Sequence, residues 1–407
     1  MINSKFVDCP ICNYNKIKNI IDYDCGNFDS SKLYSTIKIC ECNSCGHIFN
    51  KLSSEDYDGL VRYYNEEYAP SNFGSNDKVG DRPGSNNKFT FERYNNIFKL
   101  IEPHIKFSSK VLDIGCAMGG FLNYIKTKGV NKLYGIDLTQ KYIDYANQNN
   151  SYTIKLGNAE SIPFENNLFD ILVIDQVLEH VANPQKVFKE AKRVLKIGGI
   201  FCLGVPDASR YGENYFFDFY WFILREHIQH FDIEHLNLLA NSEGFELVEY
   251  DQNTSPMMSE KMILPNLNVC FRLTEKTTDM EITTNCFNLD KEIKKYITSN
   301  LEKMKKKKTI INNLTNSGKP IYIWGIGREF LFLYASLGLK KCNIIGLIDM
   351  NKYKQDNYKV DEMKIFDKSI LQNANSESIL LITAIAHIDS IKETLIEMDY
   401  KGQILEL

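Results

Sequence analysis

Short apolar runs, each about one strand long, recur along this chain and alternate with longer stretches whose apolar positions fall three or four residues apart. Val111-Leu112-Asp113-Ile114, Lys132 to Asp137, Phe169 to Ile174 and Gly199 to Val205 are four such runs. Bounded by glycine and polar residues, runs of this length read as buried strands. Amphipathic segments such as Pro184 to Leu195 lie between them and read as helices. Alternation of this kind builds an α/β fold with a Rossmann-like, mostly parallel sheet, because parallel neighbours need a crossover connection. A shorter series follows at Ile321 to Trp324, Ile344 to Asp349 and Ile379 to Thr383, and predicts a smaller C-terminal α/β domain.

The pattern divides the 407 residues into a cysteine-rich domain at 1–62, a larger domain at 63–250, a less regular linker ending in a polar helix at 251–318, and the C-terminal Rossmann-like domain at 319–407. A chain of this length is expected to fold as two or three domains. Residues 71–88, rich in Gly, Asn, Ser and Asp, read as a loop or lid. The net charge of −4 gives no basic face to displace counterions, so nucleic acid is not an expected partner. The run Lys305 to Lys308 sits in a lysine-rich helical stretch and reads as a solvated face. No run approaches the roughly 18 apolar residues of a membrane span, and no apolar signal region follows Met1. A cytoplasmic monomer or homodimer without a membrane partner is therefore expected.

Six of the eleven cysteines lie in the first 50 residues. Cys9-Pro10-Ile11-Cys12 and Cys42-Asn43-Ser44-Cys45 form two CxxC knuckles. Four thiolates at that spacing can close a tetrahedral zinc site, and a full set of four protein ligands makes the zinc structural. About 50 residues hold too little apolar surface to fold without such a staple. Cys25 and Cys40 are left over.

Val111 to Ile114 runs into Gly115-Cys116-Ala117-Met118-Gly119-Gly120 and then a helix. The turn falls at the C-terminal edge of the sheet, where open α/β sheets bind ligands. Asp137 ends the next strand, where a carboxylate can accept both hydroxyls of a ribose. The string lacks the G-x-G-x-x-G spacing of dinucleotide sites. It resembles instead the first motif of class I S-adenosylmethionine (SAM)-dependent methyltransferases, and the remaining motifs follow in that family's order. Gly157-Asn158-Ala159-Glu160-Ser161-Ile162-Pro163-Phe164 resembles the adenine-side segment, Asp175-Gln176-Val177-Leu178-Glu179-His180 the fourth-strand motif, and Leu195-Lys196-Ile197-Gly198-Gly199 the family's helix-to-strand turn. The resemblance implies a SAM site in which Asp113, Gly115 and Gly119 face the methionine part, Asp137 holds the ribose, Ala159 and Glu160 lie near adenine, and Cys116 and Asp175 also contact the cofactor.

After Pro206-Asp207 comes an aromatic run from Tyr211 to Trp221, which reads equally as core or as a sugar platform. Arg225-Glu226-His227-Ile228-Gln229-His230 follows. His227 is the expected general base, with Glu226 to order it, since an imidazole titrates near working pH. His230 and His180 are further candidates, although a lone histidine often serves only packing. The order of segments resembles the nucleotide-sugar C-methyltransferases. That family places a tyrosine two residues before the Glu of Glu-His, where this chain has Leu224, which leaves carbon and oxygen methylation both open. Tyr63, Tyr64 and Tyr68 either supply a phenol from the opposite side or form a packed aromatic helix. The resemblance implies a nucleotide-sugar substrate contacted by Tyr68 and by Trp324, Gly325, Gly327, Arg328, Asp349 and Lys354 of the C-terminal domain. Other readings are a sugar or small-molecule O-methyltransferase, a zinc-containing RNA methyltransferase, and a SAM-fold scaffold without activity.

Overall fold

A computed structural model describes residues 8–68, 70, 88–149, 152–213, 215, 220–256, 263–276 and 289–407. Most of the expected loop at 71–88 lies outside them. Near the N-terminus, strands β1 (Ile17–Asp24), β2 (Thr36–Cys42) and β3 (Ile48–Asn50) form an antiparallel meander. Its fourth strand, β9 (Gln229–His230), comes from far along the chain and pairs Ile48 with His230 and Phe49 with Gln229. The cysteine-rich segment is thus completed by the stretch that carries the histidine candidates.

The central sheet has seven strands. In chain order they are β4 (Lys110–Ile114), β5 (Lys132–Asp137), β6 (Thr153–Leu156), β7 (Phe169–Asp175), β8 (Leu195–Pro206), β10 (Phe245–Pro256) and β11 (Ile263–Leu273). In space the order is β10-β11-β8-β7-β4-β5-β6. Strands β4 to β8 run parallel, and β11 is antiparallel to both of its neighbours. The order reverses at β4, so a crevice opens above the C-terminal ends of β4 and β7. The expectation of irregular chain from 251 fails here. Residues 251–256 and 263–273 are strand, and the edge strand β10 is exposed along most of its length, which removes the clean apolar alternation that would have marked it. The helix Pro184–Val194 forms as its sequence predicts. Asn183 caps it by accepting from the Lys186 amide, Pro184 stands in the first turn, and Val187, Phe188, Ala191 and Val194 form its buried stripe.

The C-terminal domain is a six-stranded sheet built from β12 (Ile321–Trp324), β13 (Ile344–Ile348), β14 (Lys359–Val360), β15 (Met363–Phe366), β16 (Ile379–Ile382) and β17 (Gln403–Glu406), in the order β14-β15-β13-β12-β16-β17. It is not separately packed. One apolar core joins Leu33 and Ile37 of the N-terminal segment, Tyr211, Phe222 and Ile228, the helix Leu289–Ser317, and Ile321, Phe330 and Leu347. That helix buries one face, including Ile293, Tyr296, Ile297, Met304, Ile311 and Leu314, and points lysines such as Lys305 to solvent. Among the described residues no helix is long and apolar enough to cross a membrane.

Candidate active site

A cavity of about 820 Å³ opens above the switch point of the central sheet. Its floor is the ends of β4, β5 and β7. Gly115 and Ala117 follow β4, Asp137 ends β5, Ala159 and Glu160 follow β6, Asp175 ends β7, and Gln176, Val177 and Glu179 to Ala182 follow it. Tyr57, Leu60, Val61, Tyr64 and Tyr68 form one wall, and Ser255, Pro256, Leu264 and Asn266 come from β10 and β11. His227 reaches the same cavity from the loop before β9.

The turn after β4 is built by local backbone demands. Gly115 has φ +75°, and a β-carbon there would meet the Val177 side chain at 2.4 Å. Glycine is required by packing against the β7 loop, not only by approach to a ligand. Asp137 fixes the turn, since its Oδ2 accepts from the Ala117 amide and its Oδ1 from the Thr139 amide, each at 2.8 Å. Burial raises the pKa of Asp137, and these amides counter the shift. Asp175 Oδ2 forms an ion pair with Arg93 Nε at 2.8 Å, while its Oδ1 is buried with no hydrogen-bond partner among the described residues. Sequence reasoning missed Arg93. Its signal was an arginine four residues before Ile97 and eight before Ile101, both buried, which places a cation on the buried stripe of the helix Lys88–Ile101.

Of the residues assigned to the cofactor side, Gly115, Asp137, Ala159, Glu160 and Asp175 line the cavity, whereas Asp113, Cys116 and Gly119 stand behind its wall. Asp113 is buried within β4, and burial, with Asp175 and Asp137 nearby, raises its pKa well above the usual range. Gly119 is held from behind, its carbonyl accepting from the Tyr152 hydroxyl at 2.8 Å.

The histidines fall into two groups. His180 and His227 face each other on the cavity, with ring centroids 5.0 Å apart. His180 Nδ1 donates to the Glu226 carbonyl at 2.8 Å, and Tyr64 Oη lies 3.1 Å from the same nitrogen. His227 Nδ1 lies 3.3 Å from the Phe222 carbonyl. His227 is therefore ordered by that carbonyl. Burial raises the pKa of Glu226, but Arg328 and Arg225 outweigh it and hold the carboxyl below its ordinary value. Burial, with His180, His230 and Arg328 adding to it, drives His227 well below the ordinary imidazole range, so the ring is neutral at working pH. His230 does not reach the cavity. It is fully buried in β9, and neither ring nitrogen has a hydrogen-bond partner.

Of the residues assigned to substrate, Tyr68 lines this cavity and the C-terminal ones do not. Gly325, at φ +106°, is needed because a β-carbon would meet Ala384 at 2.4 Å. Asp349 accepts from the Ile326 amide at 3.1 Å and from Lys354 at 2.7 Å, and Lys354 also donates to the Ile326 carbonyl. This pair braces the turn. Trp324 is core. Arg328 lies over the Trp221 ring at 4.4 Å, with Nη1 buried and unpartnered. In the aromatic run, Tyr211, Tyr220 and Trp221 are buried, which favours core over platform for the described part.

The profile of a family described as "Methyltransferase domain" matches residues 112–203. Residues 112–203 therefore resemble a methyltransferase domain. The chain is 30% identical over 131 residues to an uncharacterized methyltransferase of Schizosaccharomyces pombe, covering 28% of this chain and 46% of that one. It is 28% identical over 165 residues to the sarcosine/dimethylglycine N-methyltransferase of Aphanothece halophytica, covering 37% of this chain and 57% of that one. A solved SAM-dependent methyltransferase from Methanosarcina mazei is similar at 20% identity and a TM-score of 0.37, over 44% of this chain and 98% of that one. The chain spans about half the length of the curated relatives it matches. With five parallel strands, an antiparallel β11 and its reversal at β4, the central sheet has the class I methyltransferase fold.

Proposed function

We propose that this chain transfers a methyl group from SAM to a sugar carried on a nucleotide, with His227 taking the proton that the acceptor loses. What carries this reading is that one cavity runs from Gly115, Asp137 and Glu160 to His180 and His227, so a cofactor cleft and a base share one chamber. The residues present fit SAM. The carboxylate of Asp137 suits a ribose diol, and the unpartnered Oδ1 of Asp175 is an acceptor for an ammonium group. When bound, SAM supplies an electrophilic methyl carbon. The chain's own work is then to align the acceptor, exclude water and remove one proton. Neutral His227 is suited to that last task. The test is incubation of the protein with SAM and a panel of nucleotide sugars, read as a mass gain of one methyl group. No gain on any of them would remove the substrate class.

Asp137→Ala is expected to weaken SAM binding by about 1.5–3 kcal/mol, the scale of hydrogen bonds to a charged group. Asp137→Asn, which keeps an acceptor for one of the two buried amides, should lose less. Calorimetry showing an unchanged affinity in both variants would misplace the ribose.

The four-cysteine cluster fits structural zinc. Cys9 and Cys45 sulfurs lie 3.6 Å apart, as do those of Cys12 and Cys42, and all four fall within 4.8 Å of one another. Tetrahedral Zn–S bonds of about 2.3 Å put the sulfurs about 3.8 Å apart. The Ser44 amide points at Cys42 Sγ from 3.4 Å, as expected around a thiolate.

A further inference from the structure

Three acceptor groups meet at one end of the cavity with no donor among them. His180 has spent its Nδ1 hydrogen on the Glu226 carbonyl, and a carbonyl can only accept, so its Nε2 carries a lone pair. His227, with Nδ1 facing the Phe222 carbonyl, presents Nε2 in the same state. Glu179 is the third. It is 1% exposed, lines the cavity, and has both carboxyl oxygens buried without a hydrogen-bond partner among the described residues. Its Oε1 is 3.7 Å from His180 Nε2, and one atom from each of the three residues lies within 4.8 Å of the others. The guanidinium of Arg93, which could have balanced a charge here, is bound to Asp175.

An ionised carboxylate in this position would face two lone pairs and the charge of Asp175 in a dry site, an arrangement that burial penalises heavily. A proton removes the conflict. Burial, reinforced by Asp175 and opposed by the residue's own amide and Arg93, pushes Glu179 up to about 8. Burial lowers both imidazoles, so the proton belongs on the carboxyl. Among the described residues, Tyr64 and Tyr211 are the other titratable groups that feel Glu179, and burial raises both well above their ordinary values, so they stay neutral.

We infer that Glu179 enters the reaction as a neutral carboxylic acid that hydrogen-bonds the carbonyl oxygen of a ketone acceptor, while His227 Nε2 removes a hydrogen from the adjacent carbon. This rests on the methyl-transfer reading above and names its acceptor class. The C–H bond breaks, its electron pair forms the carbon–carbon double bond, and the carbonyl π pair moves onto the oxygen that Glu179 holds. The enolate carbon then takes the methyl group from SAM, the carbonyl re-forms, and the proton on His227 leaves to water. A buried donor aimed at a developing oxyanion is a strong source of rate. The same donor would hinder methylation of a hydroxyl, because there the oxygen it binds is itself the nucleophile. The arrangement therefore favours carbon.

Infrared spectroscopy of the full chain near pH 7 should show a protonated-carboxyl band that Glu179→Gln removes. An ionised carboxylate overturns the proposal. With a nucleoside-diphosphate keto sugar in deuterated water, without SAM, the wild type should take up deuterium beside the carbonyl. Glu179→Ala should slow this by about 10²–10³-fold. Glu179→Gln, which retains an N–H donor, should stay much nearer wild type. Equal losses in both variants, with SAM affinity intact, would make Glu179 an ionised anchor and sink the idea. So would a second divalent metal per chain that Glu179→Gln abolishes. Wild-type uptake should fall as pH rises through about 8, where the acid is lost. A wild type that shows the band but exchanges no keto sugar overturns the ketone assignment, whereas failure to bind SAM would strike the methyl-transfer reading instead.

Discussion

Replacing His227 with alanine is expected to lower turnover by about 10²–10⁴-fold, with SAM binding nearly unchanged. The expectation follows from position and protonation together. The ring lines the cavity, its Nδ1 faces the Phe222 carbonyl, and its other nitrogen is left open. Because the imidazole is held well below its ordinary value, the base stays unprotonated through neutral pH. The acid limb of the rate profile should therefore fall well below pH 6.5, not near it. Steady-state kinetics with SAM affinity measured separately would check both parts. Near wild-type turnover in His227→Ala would move the base to His180, which shares the cavity. His230 is not a substitute, since it is fully buried within β9 and does not line the cavity.

Loss of the zinc proposed for the four-cysteine cluster is the second large effect expected, and it should be felt in catalysis. Cys12→Ser is expected to release the metal and to lower turnover by about 10²-fold or more, while SAM affinity falls far less. The cysteine-rich meander holds the loop that presents His227. β3 pairs with β9, the Asn50 amide donates to the Ile228 carbonyl at 2.7 Å, and the Tyr23 hydroxyl donates to the Ile223 carbonyl. Arg225 donates back to the carbonyls of Gly26 and Tyr34. Near the four-cysteine cluster, Gln185 donates to the Ile11 carbonyl and His235 Nε2 lies 2.9 Å from the Cys45 carbonyl, so the cluster is also tied to the elements around the central sheet. A displacement of about 1 Å in a reacting group can cost about 10²-fold. Elemental analysis should find one zinc per chain in the wild type. If Cys12→Ser loses the metal yet keeps full turnover, the meander does not position the loop.

Much of the site was legible before any coordinates. The turn after β4, Asp137 at the end of β5 and the His180 segment each follow a strand in a regular order, and the strands themselves are marked by apolar runs. A ligand site at a switch point is a consequence of chain order, so sequence carries it. The four cysteines were equally plain, since two knuckles with thiolate chemistry leave few other uses. Other residues were harder. Glu179 stood in a recognisable segment but had no evident role, because its lack of a partner is a fact about space. Arg93 looked like any cation on an amphipathic helix until its pairing with Asp175 was seen.

What the sequence by itself determined was therefore local and periodic: which runs become strands, which helix faces turn inward, where glycine permits a tight turn, and which side chains have the chemistry to hold a metal, a ribose or a proton. Only the tertiary structure decided what meets what. It set Asp113, Cys116 and Gly119 behind the cavity wall, placed His180 beside His227 and buried His230, although 47 positions separate the first pair and three the second. It also gave the N-terminal meander its last strand from residues 229–230 and joined the C-terminal domain to the same core. The physical reason is that pairing and burial depend on contacts far apart in the chain, where the apolar pattern states that a face must be covered but not by what.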